Sequence, residues 1–295
     1  MKLLVSGANG FIGRKILDSA CADRNWEVVA VSQHPDIKPS EGYSFLEADL
    51  TDPDSCAGIL DRERPDVIVN TAAISVMAKC ESDPEYAQRI NVGLVETLAG
   101  WCAANGARLV QISTDTIFAA DKKIFHKEED SPCPPNTYGR TKAEAEKAIL
   151  ASGCSYAIER VVLVYGRPEA GQHGNIVKLV HDRVLSGQAV NIVDDQWRTP
   201  TYVGDVVDAA LTLAVMQQSG IWHICGKECL SIYEIALKVA DAYGLDKSLI
   251  NPVKTDEGAT GFARPIYGLL DISKAEKELG YCPKTLDEAL KLFRP

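Results

Sequence analysis

The chain is predicted to fold as an α/β protein, a doubly wound parallel sheet with a small C-terminal lobe, on three observations. Short apolar runs alternate with amphipathic stretches through the first half of the sequence. The runs are continuous rather than alternating, the mark of strands covered on both faces. The first run leads through a glycine-rich turn directly into a helical pattern, and strand–helix–strand repetition of this kind builds parallel sheets.

Strand runs fall at residues 3–6, 28–32, 44–47, 67–70, 109–113 and 156–165, with helical patterns at 12–21, 53–61, 84–105 and 136–151 between them. After Tyr165 the pattern loosens. A Gly/Pro-rich loop at 167–175 precedes a helix at 176–186, a strand at 189–193, a helix at 203–216 and a strand at 221–225. Two helices follow, at 231–243 and 273–279, separated by a Gly/Pro-rich loop at 258–268. The expected division is residues 1–165 as the sheet domain and 166–295 mainly as a packed lobe, with segments around 203–225 returning to the sheet.

The bulk properties agree with an ordinary globular chain. Of 295 residues, 46% are hydrophobic and 24% charged, enough to bury a sizeable core without staples. Thirty-one Lys and Arg against 41 Asp and Glu leave a net charge of −10, which argues against nucleic acid and anionic membranes as main partners. No apolar run reaches the roughly 20 residues of a membrane helix. The nine cysteines are odd in number and scattered, and the N-terminus reads directly as a strand, so free thiols in a reducing cytoplasm are expected. His223-x-Cys225-x-x-x-Cys229 lacks a second cysteine pair, and no metal is predicted.

The chemistry begins at the first turn. Gly7, Asn9, Gly10, Phe11, Ile12 and Gly13 form a Gly-x-x-Gly-x-x-Gly loop after a strand and before a helix, where bare backbone N–H groups and the helix N-terminus suit a pyrophosphate. A Rossmann-type dinucleotide site is therefore expected, on the first domain. The second strand ends in Ser32-Gln33-His34 with no carboxylate for the adenosine ribose, and Arg14 follows the last glycine, so the cofactor reading leans to NADP over NAD. Arg14 read as a solvated helix residue is the competing account. Asp49 and Leu50 end the third strand, where Asp49 would meet the adenine edge or simply cap the helix beginning near Thr51. Ala72 and Ala73 follow the fourth strand and are small enough for the backbone to run along the cofactor.

Thr114 ends the fifth strand, and Tyr138 and Lys142 lie four apart on one face of the next helix. Reduction of a ketone needs a proton for the developing alkoxide. A free tyrosine, with a pKa of roughly 10, exchanges protons poorly near neutrality, and a nearby ammonium is expected to lower that value. Thr114 would hold the substrate oxygen.

Together these residues resemble the extended short-chain dehydrogenase/reductases and, within them, the dTDP-4-dehydrorhamnose reductases. The resemblance runs nearly end to end: segments 7–13 and 66–73, Asn91, segments 112–115, 138–142 and 164–166, Asp195-Gln196 with Pro200-Thr201, and Arg264-Pro265. It implies a catalytic set falling on Thr114, Tyr138 and Lys142, with Asn91 beside the cofactor. It also implies reduction of the 4-keto group of a deoxy sugar carried on a nucleoside diphosphate. For that substrate Lys79, Thr116, Gln196, Trp197, Arg198 and Arg264 are the expected contacts. Three positions depart from the family: Thr116 where tyrosine is usual, Ala78-Lys79-Cys80-Glu81 where Asp-Lys often precedes an acid, and Leu163 in place of an aromatic. All three lie where the sugar would sit.

Two alternatives share the scaffold. A dehydratase is disfavoured because Thr116, not a second carboxylate, follows Asp115, and an epimerase, which keeps its NAD tightly bound, is mildly disfavoured by the missing acid after the second strand. The β subunit of methionine adenosyltransferase resembles the same family and acts as a dinucleotide-binding regulatory partner. A homodimer would form through the 84–105 and 136–151 helices.

Overall fold

The computed structural model describes residues 1–119, 121–256, 258 and 261–295. Seven parallel strands make the central sheet: β1 (Lys2–Ser6), β2 (Glu27–Ser32), β3 (Tyr43–Glu47), β4 (Val67–Asn70), β5 (Arg108–Thr114), β6 (Ser155–Val161) and β11 (Gly220–Ile224). Their spatial order is β11-β6-β5-β4-β1-β2-β3. The order reverses between β1 and β4, so their C-terminal ends open a crevice there, the usual ligand position in such sheets.

Both faces are covered. Helices α1 (Phe11–Ala22) and α8 (Val203–Val215) pack one face through Ile16, Leu17, Val206, Ala210 and Leu213. Helices α2 (Pro53–Glu63), α5 (Leu94–Asn105) and α6 (Thr137–Ser152) pack the other through Leu60, Leu98, Cys102 and Ile149. This double cover is the physical reason the strands read as unbroken apolar runs. Each helix start has a local cause. Asp52 accepts from the Ser55 N–H ahead of Pro53 at α2, and Asn136 accepts from the Gly139 N–H at 2.9 Å to begin α6.

Several expected elements differ in detail. The 156–165 run is two strands, β6 and β7 (Val164–Tyr165), broken where Leu163 takes a left-handed φ of 37°. That conformation costs a non-glycine residue on the order of 1 kcal/mol. The 84–105 helix is α4 (Pro84–Gln88), a π-turn at Arg89–Gly93, and α5. The short α3 (Met77–Ser82) has no counterpart in the sequence reading.

The lobe has its own core, built by α7 (Ile176–Leu185) and α9 (Ile232–Tyr243) through Val177, Val180, Ile235 and Val239. Beside it β8 (Val190–Val193) pairs in parallel with β13 (Ile250–Val253). A three-stranded ribbon of β12 (Leu230–Ser231), β9 (Trp197–Arg198) and β14 (Tyr267–Gly268) closes over the end of β5. A side chain at Gly268 would stand 2.1 Å from an Asp115 carboxylate oxygen, so only glycine lets the ribbon approach so closely. Among the described residues no helix is long and apolar enough to cross a membrane.

Candidate active site

The glycine loop is shaped by steric necessity. Gly7 sits at φ +71°, and a Cβ there would lie 2.6 Å from the Ala72 nitrogen. A Cβ on Gly13 would meet the Gly7 carbonyl oxygen at 2.4 Å and Thr71 Oγ1 at 2.7 Å. The first turn of α1 is thereby drawn against β4, leaving the backbone bare toward a cavity of about 480 Å³. Asn9, Gly10, Phe11, Ile12, Thr114, Tyr138 and Lys142 line it. A second cavity of about 210 Å³ continues past Gly7 between Gln33, Asp49, Leu50, Ala72 and Ala73. The two lie on either side of one loop, as a pyrophosphate-linked dinucleotide requires, and the residues present fit such a group.

Two expected cofactor contacts are corrected. Arg14 is fully buried, and its guanidinium donates to Asp36 Oδ1 at 2.8 Å, the Lys38 carbonyl at 2.6 Å and Tyr43 Oη at 3.0 Å. It clasps the 36–43 segment, so it is neither a solvated helix residue nor a cation free for a 2′-phosphate. Asn91 is also fully buried. Its amide exchanges two hydrogen bonds with the Ile74 backbone and donates to Thr141 Oγ1 at 3.0 Å, so it ties the 74 loop to α6. Asp49 faces the smaller cavity, but its carboxylate already accepts from the Thr51 hydroxyl and N–H and from Gln33 Nε2. Those Thr51 bonds hold it below its ordinary pKa. The cap of α2 is Asp52, three residues on.

Thr114, Tyr138 and Lys142 converge where β5 ends and α6 begins. Thr114 Oγ1 accepts from the Thr116 N–H at 3.2 Å and lies 3.1 Å from Asp115 Oδ1, which orients the hydroxyl. Lys142 is almost wholly buried, and its ammonium donates to the Ile112 carbonyl at 2.7 Å. Burial draws its pKa down to about 8, against an upward pull from Glu146. The expected lowering of the tyrosine is reversed. Burial pushes the Tyr138 phenol up, Thr114 opposes this by hydrogen bonding, and Asp115 and Cys80 add to it. The lysine directs its charge at a backbone carbonyl rather than cancelling the desolvation of the phenol.

Tyr138 and Thr114 also line a larger cleft of about 890 Å³ on the lobe side, so they stand on the wall shared by the two cavities. Thr116, Gln196, Arg198 and Arg264 line this cleft as well. Arg264 lies over the Phe262 ring at 5.1 Å, and among the described residues no carboxylate pairs with it. A planar guanidinium so placed has the geometry to donate two parallel hydrogen bonds to a diphosphate.

Arg198 is committed elsewhere. It donates to the carbonyls of Trp197, Pro265 and Ile266 and approaches Asp115 Oδ2 at 3.9 Å, pinning the ribbon to the end of β5. Gln196 donates to Thr255 Oγ1 at 2.9 Å. Trp197 stacks on Tyr267 at 5.0 Å, and Lys79 lies over the Tyr86 ring; neither lines the cleft.

Leu163, expected beside the sugar, lines the cleft, which also gathers Met77, Lys178 and Arg183, residues the sequence did not single out. The signal available was weak: two basic residues off the apolar face of α7. Gln172 donates from Nε2 to the Asn9 carbonyl at 2.9 Å and to the Gly10 carbonyl at 3.1 Å. The 167–175 loop thus closes over the glycine turn, a contact no local pattern announces. His173 lines the 480 Å³ cavity.

Comparison with known proteins matches residues 1–294 to the family described as RmlD substrate binding domain. The chain belongs to this family. Among its relatives, the methionine adenosyltransferase 2 subunit beta of Rattus norvegicus is 32% identical over 93% of this chain and 81% of that protein. The dTDP-4-dehydrorhamnose reductase of Aggregatibacter actinomycetemcomitans is 29% identical over 99% of this chain and 98% of that one. Among solved structures, a dTDP-4-dehydrorhamnose reductase from Clostridium acetobutylicum superposes with a TM-score of 0.87 at 28% identity, covering 99% and 98% of the two chains. MoeE5, solved with UDP-glucose and NAD, gives 0.84 at 25% identity over 99% and 96%. The extended short-chain dehydrogenase/reductase fold of this RmlD-family member is established by these matches.

Proposed function

We propose that this protein is an NAD(P)H-dependent oxidoreductase that reduces the 4-keto group of a nucleotide-linked deoxy sugar. The observation that carries the reading is the position of Thr114 and Tyr138 on the wall common to the dinucleotide-shaped cavity and the larger cleft. Relatives and structural neighbours named as dTDP-4-dehydrorhamnose reductases support it, and the UDP-glucose and NAD held by MoeE5 support the two ligand classes. With Arg14 spent on Asp36 and Tyr43, the lean to NADP over NAD rests on the absent carboxylate after β2 alone.

In this reading the glycine loop with Ala72 and Ala73 would hold the pyrophosphate and adenosine, and Lys142 the nicotinamide ribose. When bound, the reduced dinucleotide supplies a hydride to the carbonyl carbon. Thr114 Oγ1 holds the carbonyl oxygen, and Tyr138 Oη gives it a proton. A phenol pushed up by burial is fully protonated at neutral pH, as a proton donor must be. The Lys142 ammonium then offsets the phenolate left behind. Arg264 would bind the diphosphate at the cleft mouth.

The test is oxidation of NADPH or NADH, offered separately, with a panel of dTDP- and UDP-linked 4-keto-6-deoxy sugars. Turnover with one sugar supports the proposal. Dinucleotide binding without turnover on any sugar favours a second reading, a regulatory subunit, which the 32% identity to methionine adenosyltransferase 2 subunit beta motivates.

A further inference from the structure

Behind the proton-transfer residues lies a buried polar chain that runs from α6 through β5 and β6 to β11. Glu146 stands one turn beyond Lys142 on α6 and is almost wholly buried. Its Oε1 accepts from Ser113 Oγ at 2.5 Å and from Arg160 Nε at 3.1 Å. Its Oε2 accepts from Arg160 Nη2 at 2.7 Å. Arg160 continues to His223 Nε2 at 3.2 Å and the Glu128 carbonyl at 3.3 Å, and lies over the Phe118 ring at 5.3 Å. His223 Nδ1 in turn meets the Asp271 carbonyl at 3.1 Å, and its backbone N–H donates to Glu128 Oε1. One carboxylate thus joins α6 to the last residues of β5 and to β6, and through Arg160 to β11.

The placement matters because the strand end and the helix carry opposite halves of the site. Ser113 directly precedes Thr114, and the Ile112 carbonyl that receives the Lys142 ammonium directly precedes Ser113. Tyr138 and Lys142 ride on the helix that Glu146 anchors. We propose that Glu146 is a positioning residue, clamping α6 to β5 through Ser113 so that Tyr138 stays opposite Thr114 and Lys142 stays at the Ile112 carbonyl. The buried guanidinium of Arg160 balances the charge of Glu146, which lets a rigid carboxylate serve where a flexible or solvated one would not. Misplacing a reacting group by about 1 Å can cost on the order of 100-fold in rate, so a clamp at this point has leverage.

The inference rests on the proposed oxidoreductase reading, and the experiment separates the two. Ser113→Ala removes the hydroxyl that ties Glu146 to β5 yet leaves the Glu146–Arg160 pair intact, so it avoids stranding a buried charge. Ser113→Thr restores a hydroxyl, and Glu146→Gln probes the carboxylate itself.

In Ser113→Ala we expect kcat to fall roughly tenfold as the slackened clamp misplaces Tyr138 and Lys142, with a smaller loss of dinucleotide affinity. The alkaline limb of its pH profile should shift as Lys142 loses its fixed place at the Ile112 carbonyl, and Ser113→Thr should recover both. A Ser113→Ala enzyme with wild-type kcat and pH profile overturns the proposal. If the wild-type protein turns over no sugar, the oxidoreductase reading fails, and amide hydrogen exchange of the first turns of α6 then reads the clamp alone. Faster exchange there in Ser113→Ala supports it, and unchanged exchange overturns it.

Discussion

Raising the pH through 8 is expected to discharge the ammonium of Lys142 and with it the productive capture of dinucleotide. The lysine is buried, with one neutral acceptor at 2.7 Å, and its pKa falls from 10.5 to about 8. That depression corresponds to roughly 3 kcal/mol against the charged form. Near neutrality about nine-tenths of the molecules carry the charge, and one unit above the midpoint about one-tenth do. The assay is kcat/KM for the reduced dinucleotide, which reports the free protein, followed by loss of the reduced-nicotinamide absorbance.

Wild-type protein should show a one-proton alkaline limb centred near 8. Lys142→Arg keeps its charge across the whole range, so its rate, though lower, should lack that limb. A limb near 8 that survives in Lys142→Arg would refute the assignment. The same shift has a stability consequence. Between about 8 and 10.5 the unfolded chain binds the proton that the folded chain has lost, so stability rises with pH across that window by up to about 3 kcal/mol. Lys142→Met should lack this rise in denaturant titrations.

Tyr138→Phe is expected to reduce turnover by about 10²–10⁴-fold while leaving dinucleotide affinity largely intact, as read by turnover beside binding titration. Gly13→Ala places a methyl group 2.4 Å from the Gly7 carbonyl oxygen and should weaken dinucleotide binding at least tenfold or destabilise the fold, distinguishable by pairing a binding titration with thermal melting. Arg264→Ala should raise KM for a nucleoside-diphosphate sugar by roughly 10–100-fold with little change in dinucleotide KM, as the loss of a charge-assisted contact implies. His223 is held at a pKa of about 3 by burial first and the adjacent Arg160 second. It stays neutral in the folded state while the unfolded chain protonates near 6.5, so stability should fall as pH drops from 6.5 toward 3. Denaturant titrations of His223→Gln should show a shallower loss, and parallel curves would contradict the assignment.

Local pattern carried the sheet, the glycine turn and the order of the elements, because each is a short-range consequence of periodicity and backbone stereochemistry. A continuous apolar run implies a strand covered on both faces wherever it occurs, and Gly7 and Gly13 are demanded by contacts with residues that the same fold inevitably brings near. Tyr138 and Lys142 share a helix face by spacing alone, and the end of β5 supplies Thr114.

What escaped the sequence was the fate of side chains whose partners lie far along the chain. Arg14 was assigned by adjacency to a phosphate, but a 36–43 loop folds back and takes its guanidinium. Arg198 and Gln196, expected at the substrate, do line the cleft, but the ribbon and Thr255 also engage their side chains. The pKa of Tyr138 could not be read from its lysine neighbour four residues on, because desolvation depends on everything packed around the phenol. Amino-acid order determined which elements form and which chemistry-bearing residues reach the crevice. Only the tertiary structure decided which of them are left free to act, because a buried polar group takes whichever partner the packing brings within reach.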